Sequence, residues 1–178
     1  MEIDGVLATD AGLFGLWSPT AFRGIVDYES WEPVLLADED ILRQVTAGVF
    51  VPITIGADGA FQFLARAGSA SAPAEFSARE RAWAAVTSEP YLFVATEGAV
   101  LSSIEHVGAD ARAGLRVPLP AGRWQVRIAL IDWEAEPGQQ DGDGLPKAGA
   151  LPDFVVLINP EGAATDGYRV QVETFDRP

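Results

Sequence analysis

Asp132, Glu134 and Glu136 follow the clearest strand pattern in the chain at i, i+2 and i+4. On an extended backbone that spacing points all three carboxylates to one face. It is the face lined by Trp124, Val126, Ile128 and Leu130, so acids continuing it would sit at the mouth of a sandwich or barrel. There, desolvation and like charge raise a carboxylate's pKa towards a value useful for acid–base work. Hydrolysis by the pair Asp132 and Glu134, with Trp133 as a sugar-stacking ring at the rim, is the chemistry such a site suits. The plainer alternative has the strand leaving the core by Ile131, with its acids solvated.

A second constellation suits recognition rather than catalysis. Residues 27–40 contain Asp27, Glu29, Glu32, Asp38, Glu39 and Asp40 and no basic residue, with Tyr28 and Trp31 interleaved. Aromatic side chains supply contact area, and a field of one sign accelerates encounter with a partner of the other. Tyr28, Glu29, Trp31, Glu32 and Asp38 are therefore the expected contacts for a basic protein. In the alternative, both rings turn inward and the acids are a solvated face.

Other chemistries meet exclusions. The chain has no cysteine and one histidine, His106, which removes disulfides, thiolate zinc sites, cysteine nucleophiles and any site needing two imidazoles. No serine stands in a G-x-S-x-G elbow. Gly56-Ala57-Asp58-Gly59 lacks the lysine and following helix of a phosphate loop. Asp141-Gly142-Asp143-Gly144 begins like a calcium loop, but the third ligand position is Leu145 and the twelfth is Pro152, so the EF-hand pattern fails. No metal or cofactor is expected, and a non-enzymatic binding protein is the favoured class. A small-molecule or glycan-binding sandwich using Asp132, Trp133 and Glu134 is the alternative.

The formal net charge is −14, from 26 acidic and 12 basic residues. A field of that sign repels nucleic acid and anionic membrane and favours basic partners, although solubility alone also accounts for it. Lys147 is the single lysine, an arginine bias in keeping with a GC-rich bacterial origin. No stretch approaches the roughly 20 apolar residues of a membrane span. Met1-Glu2-Ile3-Asp4 is acidic where a secretory leader is basic; a cytoplasmic protein is expected. With 178 residues, 48% of them hydrophobic, the chain fits a single domain over 1–178.

The elements that must position these residues are short alternating runs separated by turns. Val49 to Ile55 and the run through Phe61 and Phe63 read as a hairpin across Asp58-Gly59. Pro52, unable to donate a ladder hydrogen bond, places its strand at an edge or a bulge. Arg123 to Trp133 and Tyr168 to Phe175 alternate clearly, the latter with Tyr168, Val170 and Val172 inward after Asp166-Gly167. Phe154 to Ile158, uniformly apolar between Pro152 and Pro160, reads as a strand buried on both faces. Val6 to Thr9, Leu13 to Trp17, Tyr91 to Thr96, Val100 to Ile104 and Leu115 to Leu119 complete the strands. Two segments look helical: the one opened by Asp38-Glu39-Asp40, and Ser77 to Val86 with a Ser77/Glu80 capping box. The expected fold is mainly β, an antiparallel β-sandwich or partly open barrel of about ten short strands with one or two short helices.

Thr9-Asp10, Phe14-Gly15-Leu16-Trp17, Trp31 and the run from Pro52 to Phe61 together resemble a family of small uncharacterised bacterial β-sandwich proteins similar to toxin-immunity proteins. The resemblance covers the N-terminal third. It implies a protein that neutralises a partner by binding it, and it carries no catalytic residues.

Overall fold

The computed structural model describes residues 1–109, 113–162, 167–172 and 174–176. Among them the strands are β1 (Glu2–Thr9), β2 (Leu13–Trp17), β3 (Phe50–Thr54), β4 (Gly59–Ala67), β5 (Ala84–Thr87), β6 (Tyr91–Ala95), β7 (Ala99–Ser103), β8 (Leu115–Val117), β9 (Gly122–Ile131) and β10 (Phe154–Pro160). The helices are α1 (Tyr28–Leu35), α2 (Asp38–Thr46) and α3 (Ala78–Trp83). No helix among the described residues is long and apolar enough to cross a membrane.

The strands form two sheets. The larger runs β1-β4-β10-β9, and the far edge of β9 is shared by β6 along its first half and β5 along its second. The smaller runs β3-β2-β7-β8. Pairing is antiparallel except between β4 and β10. Edge-to-face contact of Phe14 on β2 with Phe63 on β4, at 4.9 Å, joins the inner faces, and Phe63 in turn stacks on Phe154 of the neighbouring β10 at 5.0 Å. The molecule is a β-sandwich-like mainly-β fold, as its alternating runs predict.

The patterns of β9 and β10 translate directly into layers. Trp124, Val126, Ile128 and Leu130 enter the core between the sheets with Phe154, Val156 and Ile158. Ala129, Ile131, Val155 and Leu157 point the other way, into a smaller cluster with Ala74, Trp133 and Leu151, against which Phe76 and Trp83 pack. That second layer explains why both strands become apolar on both faces. Pro52 lies on β3, an edge strand, opposite Gly15 of β2. A Cβ on Gly15 would lie 2.3 Å from the Phe50 ring, so only glycine fits there.

The hairpin expected across Asp58-Gly59 does not form: β3 pairs with β2 in the smaller sheet, whereas β4 pairs with β1 and β10 in the larger. Three further sequence expectations require correction. The described residues of Tyr168 to Phe175 form no strand: their only ladder contact is a parallel bridge from Thr174 to Thr54. Their remaining hydrogen bonds scatter, from the Arg169 N–H to Pro90 O and from the Tyr91 hydroxyl to Gln171 O. Val170, expected inward, is 51% exposed, whereas Phe175 is buried against Phe154. Asp166 of the expected turn lies outside the described residues. Second, β9 ends at Ile131, and Trp133–Ala135 is a turn of 3-10 helix. Third, α3 ends at Trp83, where β5 begins, rather than continuing to Val86.

Helix α1 has no counterpart in the sequence expectations. Asp27 caps it: its carboxylate accepts from Ser30 N at 2.9 Å, while the Ser30 hydroxyl donates back and also accepts from Asp27 N. This capping box uses serine where glutamate or glutamine is usual. Pro33 stands inside the helix, where its missing N–H disguises the helical pattern.

Candidate functional site

Helix α1 presents the rings and acids read from residues 27–40. The Trp31 indole, half-buried, donates from Nε1 to Ile104 O at 3.0 Å and so pins α1 to the end of β7. Tyr28 stacks on it, with ring centroids 5.9 Å apart and planes 22° from parallel, and remains 62% exposed. The Tyr28 hydroxyl lies 3.5 Å from Glu32 Oε1. One ring is therefore an anchor point and the other is offered to solvent.

These rings form one wall of an open pocket of about 580 Å³. Ile25, Val26 and Asp27 extend that wall, and the opposite one runs from Glu105 to Ala109. The Ala109 N–H donates to Ile25 O at 2.8 Å and holds the two walls together at the base. Gly108 permits this closeness, since a Cβ there would come within 2.8 Å of the same carbonyl. Ile25 and Val107 are buried and make the floor apolar. At the rim, Glu105 accepts from Asp10 N at 2.9 Å and from the Thr9 hydroxyl at 3.4 Å, which orients its carboxylate. His106 beside it is exposed.

The rim is anionic. The Ser30 hydroxyl, then the Ser30 N–H, hold the Asp27 carboxyl below the usual carboxylate range. Glu29, Glu32 and Asp38 are exposed and make no ion pair among the described residues, whereas Asp40 is paired with Arg43. Of the five predicted contacts, Tyr28 and Trp31 line the pocket; Glu29 and Glu32 lie on the same helix and Asp38 starts the adjoining α2, and these three are not among the pocket's lining residues. Glu105 and His106 join the site from a segment more than seventy residues away. The sequence alone had no signal placing them beside Trp31.

The other predicted group does not assemble. Trp133 is only 6% exposed, packed with Ala129, Ile131, Leu151 and Val155, and its indole donates to Asp153 Oδ1 at 2.9 Å. It is no stacking platform. The turn after Ile131 sends the acids in different directions. Asp132 accepts from Ala135 N at 3.3 Å, Glu134 faces solvent, and Glu136 is held by Arg79 through both oxygens at 2.7 Å. Arg79 keeps Glu136 below the usual carboxylate range, the reverse of what a catalytic acid needs. None of Asp132, Trp133 and Glu134 lines this pocket, and Trp133 is buried rather than set at a rim. In the glycine-rich loop, Asp141 Oδ1 accepts from the Asp143 and Leu145 N–H groups at 2.9 Å. Among the described residues no three His, Asp or Glu side chains gather as a metal site would require.

No family model matches the chain, and no curated protein sequence matches it. Solved structures do. One, described as crocagin biosynthetic gene J, superposes with a TM-score of 0.63 at 16% identity, covering 91% of this chain and 98% of that one. Another, ComJ from Bacillus subtilis, described as an inhibitor of the DNA degrading activity of NucA, superposes with a TM-score of 0.52 at 13% identity, covering 89% and 96%. At these identities the likeness concerns the fold: the chain shares its two-sheet architecture, over nearly its whole length, with both proteins.

Proposed function

We propose that this chain is a non-enzymatic binding protein that docks a basic protein partner through the acidic face around Tyr28 and Trp31, and that docking inhibits the partner as an immunity protein does. The observation that carries the reading is the pocket: an apolar cleft, walled by two stacked rings, with carboxylates at its rim. An exposed aromatic beside an apolar cleft suits an interface hot spot, and unpaired acids around it raise the encounter rate with a cationic surface. ComJ, which has this fold, is described as an inhibitor of a DNA-degrading activity. An enzyme that degrades DNA must present a basic surface to a polyanion, and an acidic protein competes for that surface. The same logic makes a nuclease the favoured class of partner.

The test is capture from native-host lysate on the immobilised chain at about 50 mM and about 500 mM salt, where screening lengths differ several-fold. Retained proteins are identified by mass, and their DNA-degrading activity is assayed with and without free chain. A basic protein held at low salt, released at high salt and inhibited by the chain supports the reading. No specific partner at either salt overturns it. Unchanged affinity of the triple variant Glu29→Lys, Glu32→Lys, Asp38→Lys overturns the assigned face.

A further inference from the structure

A second concavity lies on the outer face of the larger sheet and shares no residue with the docking pocket. Its volume is about 360 Å³, within the range of small-molecule sites. The antiparallel register of β9 and β10 sets Leu157 opposite Arg127 and Asn159 opposite Gln125, so these four side chains project from one face. Leu157 is buried, and with Ala74 and Phe76 it makes an apolar floor.

The site is built rather than incidental. Asn159 clamps the loop above the sheet in both directions: its Oδ1 accepts from Ala74 N at 2.6 Å and its Nδ2 donates to Ala74 O at 2.9 Å. A Cβ on Gly68 would lie 2.3 Å from both Ala74 N and Asn159 Oδ1, so glycine is required for the clamp. Arg81, in the last turn of α3, is steadied by donating to Phe76 O.

Charge gives the site its meaning. Arg23, Arg43, Arg66, Arg79 and Arg123 are each paired with carboxylates. Arg81 and Arg127 have no carboxylate partner among the described residues, yet both line this pocket, with Glu75 as its single acid. The Gln125 amide lines it too, with no hydrogen-bond partner among the described residues. On a chain of net charge −14, two guanidiniums against one carboxylate make a local reversal of sign. Guanidinium forks match planar oxyanions, and the floor of Leu157, Phe76 and Ala74 matches an apolar body.

We propose that this pocket binds a small organic anion, its acidic headgroup held by Arg127, Arg81 and Gln125 and its apolar body on Leu157 and Phe76. Either a carboxylate or a phosphate headgroup would present the required chemistry.

The experiment titrates the full chain with benzoate, phenyl phosphate and benzamide, followed by NMR of the Gln125 side-chain amide and the Arg81 and Arg127 Nε–H groups. The expected result is saturable shifts at these groups with either anion, the tighter of the two naming the headgroup. Benzamide, which has the same ring without the charge, should bind at least about tenfold more weakly, and Arg127→Gln should weaken the anion by a similar factor, since charge-assisted hydrogen bonds are the strong ones. Arg127 is exposed, so its replacement leaves the fold intact. The Glu29→Lys, Glu32→Lys, Asp38→Lys chain should bind the anion undiminished, which keeps this site separate from the docking face. Linear, non-saturating shifts, equal binding of benzamide, or an unaffected Arg127→Gln variant would each overturn the proposal.

Discussion

Arg66 of β4 grips Glu80 of α3 with both arms of its guanidinium, Nη1 to Oε2 and Nη2 to Oε1, each at 3.0 Å. The same guanidinium reaches Glu2 of β1 through Nε and Glu75 O through Nη1. Glu80 in turn accepts from Ser77 N at 2.6 Å as half of the α3 capping box. One arginine therefore joins the first strand, the sheet and the helix that covers the smaller apolar cluster. Glu80 is 3% exposed, and burial of that kind is tolerated because both carboxylate oxygens are hydrogen-bonded and the charge is paired with a guanidinium.

Glu80→Ala should consequently cost about 3 kcal/mol, the lower end of the range for breaking a buried pair, because the Arg66 side chain keeps some access to water. Chemical unfolding measured by far-UV circular dichroism checks this. Replacing Glu2, the exposed partner of the same arginine, should cost under about 1 kcal/mol. Equal effects of the two substitutions would show that the Arg66–Glu80 pair does not join α3 to the sheet.

Acid should loosen the same contact. Burial pushes the Glu80 carboxyl up, but hydrogen bonds from Arg66 and Ser77 outweigh it and hold the group below its ordinary value. A carboxyl whose pKa is lower folded than unfolded stabilises the fold above its unfolded value of about 4.3, and that contribution is lost as pH falls through the folded value. Asp27, Glu136 and Glu161 are shifted the same way. Stability should hold from neutrality to about pH 5 and decline below it. The Glu80→Gln chain, less stable at pH 7, should lose less between pH 7 and pH 3; urea midpoints at both values provide the comparison.

Strands with a strong local signature were readable: β9 and β10 announce themselves because the two faces of each are filled by different apolar layers. The alternation of Tyr168, Val170 and Val172 reads equally well yet yields no strand, because a strand needs a neighbouring edge. That segment finds single acceptors at Pro90 O and Thr54 O instead. Helix α1 was hidden by Pro33 and by a cap in which Ser30 replaces the usual glutamate. The pocket beside α1 was half legible. Tyr28 and Trp31 are local to one acidic segment, while Glu105 and His106 reach them through long-range bonds, from the Trp31 indole to Ile104 O and from the Ala109 N–H to Ile25 O. Trp133 shows the converse failure: it keeps to the face of Ala129 and Ile131, but a second apolar layer covers that face and buries the ring that was expected at a rim.

That burial is itself testable. Trp133 fills the smaller cluster and donates to Asp153, so Trp133→Ala should destabilise the chain by about 3–5 kcal/mol, as truncation of a buried aromatic does. A panel of mono- and oligosaccharides should leave tryptophan fluorescence unchanged in the intact chain. Quenching that disappears on replacing Trp133 would restore the sugar-binding reading.

The docking face depends on α1 being formed before the partner arrives, and Asp27 is the residue that makes it so. Its carboxylate accepts the Ser30 N–H and hydroxyl at one end of the helix, while Trp31 ties the middle of the helix to Ile104. Asp27→Ala should cost about 1 kcal/mol of stability, the usual value of an N-cap, and should weaken partner binding mainly by making the pocket wall less ordered. Tyr28→Ala should do the reverse. Its ring is largely exposed, so stability should change by less than about 0.5 kcal/mol. Affinity should nevertheless fall by tenfold or more, because an aromatic anchor at the centre of an interface contributes upwards of about 2 kcal/mol. Thermal melts alongside binding isotherms for the two variants separate these effects. A Tyr28→Ala chain that binds as tightly as the parent would move the partner's contact away from the stacked rings.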